Sequence, residues 1–185
     1  CFFPFRHSKR HSNKIKVLFC GNLTSRKGVQ WLLPIVEKLY RNISVYYTSG
    51  LRNTAGLASN KCLYNLGSIA YVDMPVIYNE MDILLFPTVR EGFGLAAVEA
   101  MACGLPVVAT NCSSLPELID DEKGGFLCPL GDAQVFADRI NELAENAQLR
   151  SIMGEYNRVK VEREFTLERM VKEYQNLFVE VLDEV

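Results

Sequence analysis

The sequence predicts an α/β domain with a Rossmann-like, doubly wound parallel sheet of about six strands, followed by carboxyl-terminal helices. Two observations carry this prediction. Short runs such as the ILLF of 83–86 are apolar throughout, as in strands buried on both faces of a parallel sheet. These runs alternate with segments in which apolar residues recur at helical spacing, which indicates helices on both faces. Ligands of such sheets bind outside the carboxyl ends of the strands.

Six strands are predicted where apolar runs are bounded by glycine, proline or polar turn residues. The first run ends at Gly21 and the fourth ends at Pro87. A loop, Gly50–Gly56, separates the second strand from the third. The predicted strands are Lys16–Cys20, Ile43–Thr48, Leu63–Leu66, Asp82–Phe86, Pro106–Ala109 and Gly125–Cys128.

Helices are predicted from the 3.6-residue spacing of apolar side chains. The alanine-rich helix Gly94–Ala102 is ended by Gly104, which suits a helix terminus. Asp132 and Thr166 precede helical patterns and are suited to cap them. The predicted helices are 28–41, 74–80, Gly94–Ala102, a turn at Leu115–Ile119, and three carboxyl-terminal helices over 132–147, 149–162 and 167–183.

A single domain is predicted for residues 14–185, because a chain of 185 residues that is 49% hydrophobic can bury one core. Residues 1–13 are basic and lack periodicity, so we expect a linker or boundary segment there. A basic patch that faces a membrane is the alternative for this segment.

Composition disfavours several classes of function. The net charge of −2 gives no sign of a nucleic-acid surface. The six cysteines are dispersed and only two histidines occur, so neither a metal site nor a disulfide framework is expected. Free thiols suit a reducing cytoplasm, and the apolar runs are too short to span a bilayer. We therefore expect a cytoplasmic protein, and leave open a peripheral association of the full-length protein with the inner face of the membrane.

The loop after the first predicted strand, Gly21–Gly28, carries two adjacent cations, Arg26 and Lys27, and leads into a helix. A helix N-terminus beside a cation suits a phosphate or a diphosphate. The loop lacks the glycine spacing of a dinucleotide fold and that of a P-loop. A solvated basic turn is therefore the alternative at this position.

The loop after the fourth predicted strand combines glycines with an acid. Gly92 and Gly94 allow the backbone to approach a ligand closely. Glu91 stands at the mouth of the following helix and Glu99 lies within it, so two carboxylates bracket one helix start. An acid beside a phosphate site is suited to accept hydrogen bonds from sugar hydroxyls. The spacing of two glutamates alone proves nothing, because such pairs occur by chance.

The string EGFGLAAVEAMACGLPVVAT, residues 91–110, resembles the E-x7-E signature of glycosyltransferase family 4, the group 1 retaining transferases. The resemblance runs from about Lys16 to Leu130 and includes Lys27-Gly28, Tyr78, Asp82, Phe86-Pro87, Glu117 and Gly124–Leu127. It implies the nucleotide-sugar-binding, C-terminal half of a GT-B fold. The implied partner is an N-terminal acceptor-binding domain of the same enzyme.

The resemblance implies a role for each matching residue. Glu91 and Lys27 would be catalytic, with Glu91 on the hydroxyls of the donor hexose and Lys27 on the diphosphate. Glu99 would hold the ribose hydroxyls, the loop Gly67–Ala70 would contact the base, and amides around Phe93 would meet the phosphates and sugar. The predicted donor-binding residues are Glu99, Arg26, Gly21, Asn22, Gly92, Phe93, Gly94, Leu95, Gly67, Ser68 and Ile69.

One position departs from the family pattern. The family usually has arginine directly after the first glycine, where this sequence has Asn22. A neutral amide cannot make the charge-assisted contact, which is worth about 1.5–3 kcal/mol. We hypothesise that Arg26 supplies the missing charge.

The resemblance implies a retaining transfer of a hexose from a UDP-, GDP- or ADP-sugar to a saccharide or lipid-linked acceptor, in polysaccharide biosynthesis and without a required metal. Binding of the donor without transfer is expected of this half alone. The alternatives are a nucleotide-sugar-binding module that has lost catalysis, and a GT-B sugar phosphorylase or epimerase. A glycosidase is disfavoured because its substrates lack phosphate. A nicotinamide-dependent oxidoreductase is disfavoured because the glycine fingerprint is absent.

Overall fold

The computed structural model describes residues 2–4, 14–49, 57 and 60–183. Its core is one six-stranded, all-parallel sheet with the order β3-β2-β1-β4-β5-β6. This is the strand order of the Rossmann fold, and the predicted fold class is confirmed. The strands are β1 Ile15–Phe19, β2 Ile43–Thr48, β3 Leu63–Gly67, β4 Ile83–Phe86, β5 Val107–Thr110 and β6 Gly125–Cys128.

Seven α-helices and two short 3-10 turns connect and follow the strands in the described part of the chain. The 3-10 turns, at Ser25–Lys27 and Tyr71–Asp73, were not predicted. The helices are α1 Val29–Val36, α2 Met74–Glu80, α3 Leu95–Ala102, α4 Leu115–Leu118, α5 Ala133–Glu145, α6 Ala147–Glu164 and α7 Leu167–Asp183.

The first predicted helix, 28–41, extends five residues beyond the end of α1 at Val36. Beyond that residue the backbone makes 3-10-type hydrogen bonds, in which the N–H of Lys38 donates to the Ile35 carbonyl and the N–H of Leu39 donates to the Val36 carbonyl. The N–H of Tyr40 then donates to the Asn141 side chain, which directs the chain into β2.

The predicted carboxyl-terminal helices are confirmed with one corrected boundary. Asp132 accepts two backbone hydrogen bonds at the start of α5, and Thr166 accepts one from Arg169 at the start of α7. The break between α5 and α6 lies at Asn146 rather than at residue 148. The Asn146 side chain accepts a hydrogen bond from Leu149, which makes it the N-cap of α6.

Two apolar clusters cover the two faces of the sheet, as a doubly wound domain requires. One cluster packs β1 and β2 against α1 and α5, and includes Tyr47 and Phe136. The other packs β4 and β5 against α2 and α3, and includes Tyr78 and Met101. Both faces of the central strands are therefore buried, so a ligand can approach the sheet only at the strand ends, and in such folds it binds at the carboxyl ends.

Residues 2–4 belong to the predicted linker and lie against this second face. The Phe2 ring packs edge-on against Tyr71 and Tyr78, with centroids 5.6 and 5.9 Å away. The Arg158 guanidinium donates to the Phe2 carbonyl, and Asn79 donates to the carbonyl of Phe3. The domain boundary itself stays a prediction, and the predicted loop Gly50–Gly56 lies outside the described residues.

Helix α7 has an exposed apolar stripe. Its apolar residues recur three or four positions apart, at Leu167, Met170, Val171, Tyr174, Leu177, Phe178, Val181 and Leu182, and all of them are exposed. No helix in the described ranges is long and apolar enough to cross a membrane.

Candidate functional site

The loops after β1 and β4 form one unit at the carboxyl edge of the sheet, because these strands are neighbours. The carbonyl of Arg26 accepts hydrogen bonds from the Val89 N–H at 2.8 Å and from the Thr88 hydroxyl at 2.9 Å. Gly28 packs on Pro87 so closely that an added Cβ would lie 1.8 Å from the Pro87 carbonyl oxygen. Its φ of +81° also favours glycine. The two loops are therefore held in a fixed relationship by backbone contacts.

Lys27 and Glu91 meet where these loops join. The Lys27 Nζ lies 2.5 Å from Glu91 Oε1, and the side chains are only 16% and 7% exposed. The hydroxyl of Thr88 lies 3.0 Å from the same carboxylate oxygen. The Lys27 ammonium also lies 5.1 Å from the centroid of the Phe86 ring. A nearly buried ion pair of this kind is costly to break from one side, since the remaining charge would lose its partner.

The start of α3 lies in the loop that contains Glu91. Gly94 precedes the helix with φ +98° and makes no side-chain cap. A Cβ at Gly94 would crowd Leu118 and Leu115, at 3.0 and 3.2 Å. An uncapped helix N-terminus carries a partial positive charge and free N–H groups, so it suits an anion. Gly92 and Leu95 beside it are exposed, which leaves this edge accessible.

Phe93 is anchored by packing. Its ring lies edge-on to Phe165, with centroids 5.9 Å apart, and its carbonyl accepts a hydrogen bond from the Ser114 hydroxyl at 2.9 Å. These contacts fix the backbone just before the α3 start. The prediction for Phe93 concerned its backbone amide, and that prediction remains compatible with a packing role for its ring.

Glu99 lies on α3 and is held by a buried tyrosine. The Tyr78 hydroxyl is 3.1 Å from Glu99 Oε2 and 3.4 Å from Cys20 Sγ. Burial raises the pKa of Glu99, and hydrogen bonds from Tyr78 and Tyr71 oppose that rise. Burial also raises the pKa of the Cys20 thiol, on which both Glu99 and Lys27 act electrostatically. Cys20, directly after β1, is therefore close enough to feel both charged groups.

The predicted base-contacting loop lies beside Glu99. Gly67 ends β3 with φ +73°, and its carbonyl accepts a hydrogen bond from the Ser49 N–H. Ser68 is exposed, whereas Ile69 is partly buried against the second cluster. The loop leads into Tyr71, which interacts with the Glu99 carboxylate.

The first loop holds the remaining predicted residues. The Gly21 N–H donates to the Thr48 hydroxyl at 2.9 Å, and a Cβ added at Gly21 would lie 3.5 Å from Cδ of Lys27. Asn22 is exposed. The exposed Arg26 side chain lines a shallow depression whose lining residues are Ser25, Arg26, Gln30, Val89 and Arg90. Lys27 and Glu91 do not line this depression, and the Lys27 side chain is paired with Glu91 instead.

Thr88, Tyr71 and Cys20 contact the site, and sequence reasoning did not assign them to it. Thr88 is fully buried and bonded to both loops, yet a threonine after Pro87 has no distinctive local pattern. Tyr78 belonged to the family resemblance without a stated role. Its position before β4 could be read from the sequence, but the direction of its hydroxyl depends on the packing of α2 on α3.

No group of three or more histidine, cysteine, aspartate or glutamate side chains in the described part of the chain is arranged to hold a metal ion. Among the described residues, the positive groups near the carboxyl ends of the strands include Lys27 and the N-terminus of α3, with Arg26 nearby. The site can therefore offer positive charge to an anion, together with two carboxylates for hydroxyl groups.

The fold and the site together define a Rossmann-like half-domain of the GT-B glycosyltransferase type. Residues 14–146 match the family model described as "Glycosyl transferases group 1", and the chain belongs to that family. The predicted family is thereby confirmed.

Known proteins similar to this chain agree with that assignment. The capsular polysaccharide biosynthesis glycosyltransferase CapM of Staphylococcus aureus is 27% identical over 189 residues, covering 97% of this chain and 50% of CapM. Sucrose-phosphate synthase from Thermosynechococcus elongatus has a TM-score of 0.87 at 22% identity, over 100% of this chain and 50% of its own. HepE of Anabaena, solved in complex with UDP-glucose, has a TM-score of 0.78 at 24% identity, over 94% of this chain and 50% of its own. The chain thus spans half the length of these proteins.

Proposed function

We propose that this chain is the donor-binding domain of a retaining hexosyltransferase that uses a nucleoside diphosphate sugar. The observation that carries the proposal is the joining of Lys27, Glu91 and the α3 start at one end of the sheet, with Glu99 on the same helix. Solved complexes of the similar protein HepE with UDP-glucose support this choice of ligand.

Each group has a chemical task in this proposal. Lys27 and the N–H groups at the start of α3 bind the diphosphate, because both carry positive charge. Glu99 accepts hydrogen bonds from the ribose hydroxyls, and the loop Gly67–Ile69 contacts the base. Glu91 accepts hydrogen bonds from the hexose hydroxyls once the donor has drawn Lys27 toward its phosphates.

Transfer breaks the bond between the anomeric carbon and the diphosphate oxygen, and the acceptor hydroxyl forms the new bond on the same face of the sugar. The leaving diphosphate takes up the acceptor's proton, which balances the reaction. Lys27 and the α3 N-terminus stabilise the charge that develops on the leaving group. Glu91 orients the hexose and does not attack it. The scheme assigns no task to a metal ion.

Donor binding without transfer is expected of this chain alone, because an acceptor site requires the other half of a GT-B enzyme. The chain spans 50% of CapM, whose name places it in capsular polysaccharide biosynthesis. By analogy we propose a role in polysaccharide biosynthesis, with an N-terminal acceptor-binding domain as partner. A cytoplasmic location, with the full-length protein at the inner face of the membrane, belongs to the same proposal.

Titration calorimetry of UDP, GDP and ADP, and of their hexose conjugates, tests the proposal. We expect binding of one nucleotide series, reduced at least tenfold by Lys27→Ala and by Glu99→Ala. Lys38→Ala, which changes an exposed lysine away from the site, serves as the matched control. Absence of binding by all three series, or equal effects of Lys27→Ala and Lys38→Ala, would refute the assignment.

The hypothesis that Arg26 replaces the missing arginine has a separate test. Arg26 is exposed and lines a depression that does not include Lys27 or Glu91. If Arg26 supplies the charge, Arg26→Ala weakens donor binding about tenfold, whereas Arg90→Ala has little effect. Unchanged affinity in Arg26→Ala rejects the hypothesis.

A further inference from the structure

Two tyrosine hydroxyls converge on the carboxylate of Glu99. The hydroxyl of Tyr78 lies 3.1 Å from Oε2, and its ring is fully buried in the second apolar cluster. Tyr71 approaches the same carboxylate from the 3-10 turn before α2, and its side chain is 69% exposed. The carboxylate is thus held from the core on one side and from the surface on the other.

Tyr78 also connects Glu99 to the first loop. Its hydroxyl lies 3.4 Å from Cys20 Sγ, the thiol is hydrogen-bonded to Thr48, and Thr48 accepts the N–H of Gly21 at 2.9 Å. A phenol has one proton to donate, and a carboxylate is a stronger acceptor than a thiol. The Tyr78 hydroxyl therefore donates mainly to Glu99, and its longer contact with Cys20 Sγ is the weaker of the two. The bond to Glu99 fixes the direction of the Tyr78 hydroxyl.

A glutamate on a helix surface would otherwise sample several rotamers, and ordering such a side chain costs conformational entropy. Glu99 is also partly desolvated, so it needs hydrogen-bond donors in the absence of a ligand. Tyr78 meets both needs with a single hydroxyl. Its bond to Oε2 leaves other lone pairs of the carboxylate available to a ligand at the carboxyl ends of the strands.

We propose that Tyr78 is a positioning residue which, together with Tyr71, orients the Glu99 carboxylate to accept hydrogen bonds from the ribose hydroxyls of the donor. The inference rests on the proposed function, because it deepens the role assigned there to Glu99. Tyr78 does not touch the nucleotide and acts through Glu99. Tyr71 is accessible and adds a second donor to the same carboxylate.

Tyr78→Phe separates this role from a packing role, because the variant keeps the buried ring and removes only the hydroxyl. Tyr47→Phe is the matched control, since Tyr47 is also buried but lies in the cluster on the other face of the sheet. Tyr71→Phe is a further variant that is safe for folding, because most of that side chain is exposed.

The experiment is calorimetry of the nucleoside diphosphate that the unmodified chain binds among UDP, GDP and ADP. Its 2′-deoxy and 3′-deoxy counterparts and inorganic pyrophosphate are titrated in parallel. We expect Tyr78→Phe to weaken the ribonucleotide about threefold to tenfold and the deoxy analogues less than twofold. Pyrophosphate affinity stays unchanged, Tyr71→Phe changes affinity in the same direction by less, and Tyr47→Phe has no effect.

Equal losses for the ribonucleotide, its deoxy analogues and pyrophosphate would show a general structural defect and overturn the inference. The ratio of ribonucleotide to deoxynucleotide affinity does not depend on the folded fraction, so it remains valid for a destabilised variant. If Tyr78→Phe does not fold, an unchanged ratio in Tyr71→Phe overturns the inference.

Glu99→Ala distinguishes this failure from failure of the proposed function. If it lowers the same ratio while neither tyrosine variant does, the positioning role alone is wrong. If Glu99→Ala leaves the ratio unchanged, or if the unmodified chain binds no nucleotide, the proposed function fails and the positioning role fails with it.

Discussion

The Nζ of Lys27 lies 2.5 Å from Oε1 of Glu91, although 64 residues separate them in the chain. The pair is nearly buried and shares the Thr88 hydroxyl. Without a ligand, the lysine proposed for the diphosphate is thus already neutralised by a carboxylate. A diphosphate must compete with Glu91 for this cation.

Glu91→Gln should therefore bind the free nucleoside diphosphate more tightly, by about threefold to tenfold, because the competing negative charge is gone. The additional affinity contributed by the hexose should fall at the same time, since the amide is a poorer acceptor for hydroxyl groups. Calorimetry with the nucleotide and the nucleotide sugar measures both effects. Glu155→Gln, on an exposed position of α6, is the control. Weaker binding of the free nucleotide by Glu91→Gln would contradict the competition.

The contact between Gly28 and Pro87 predicts a large effect of a small substitution. In Gly28→Ala the new Cβ would lie 1.8 Å from the Pro87 carbonyl oxygen, at a φ of +81°. We expect a loss of about 3 kcal/mol or more in the free energy of unfolding, because backbone on both loops must move. Urea unfolding followed by circular dichroism measures it.

Gly92→Ala provides the comparison within the same site, because nothing lies within 4 Å of a Cβ built there. Its free energy of unfolding should change by less than about 0.5 kcal/mol. Similar stability of the two alanine variants would show that the close contact between the loops does not exist in solution.

Removing the charge of Glu99 is expected to stabilise the folded protein. Burial is the main cause that raises the pKa of Glu99. A raised carboxyl pKa means that the fold disfavours the ionised form, so this cost is absent below the pKa of the unfolded chain and complete above that of the folded protein. Glu99→Gln should therefore have a Tm about 2 °C higher than the unmodified chain at pH 7, with no advantage near about pH 4.

Thermal unfolding at several pH values measures this effect, and nucleotide binding should be weakened in the same variant. Glu155→Gln, at an exposed position, should show no pH-dependent rise in Tm. A Glu99→Gln variant that is less stable than the unmodified chain at pH 7 would show that the ionised carboxylate stabilises the fold.

For Asp120 we expect the opposite effect of pH on the stability of the fold. A hydrogen bond from Tyr156, aided by Lys160, lowers the pKa of Asp120. Lys160 is 5% exposed, and its Nζ lies 2.9 Å from Asp120 Oδ1. Asp120→Asn leaves this ammonium without its carboxylate and should cost about 1–3 kcal/mol at pH 7. A lowered carboxyl pKa contributes stability above the unfolded pKa, and this contribution is lost as pH falls through the folded pKa.

Chemical unfolding at pH 7 and near pH 3 should therefore show a difference between Asp120→Asn and the unmodified chain that shrinks in acid. Glu142→Gln, which breaks an exposed pair with Arg139, is the control and should cost less than about 0.5 kcal/mol. A penalty for Asp120→Asn that grows in acid would contradict the assigned pairing.

The amino-acid sequence by itself determined the strands, the long helices and the two loops of the candidate site, which follow β1 and β4. Apolar runs such as Ile83–Phe86 and caps such as Asp132 are local features, so they are readable without the fold. The end of α1 was predicted wrongly, and the chain beyond it is held by a hydrogen bond from Tyr40 to Asn141, 101 residues away, which no local pattern reports.

Only the tertiary structure decided which groups of the site meet. The order of strands in the sheet makes β1 and β4 neighbours, and this brings Lys27 to Glu91, while Arg26 remains exposed. The packing of α2 on α3 directs the Tyr78 hydroxyl to Glu99. The physical reason is that charge pairing and hydrogen bonding act over a few ångströms in space, whereas sequence patterns report only on neighbours along the chain.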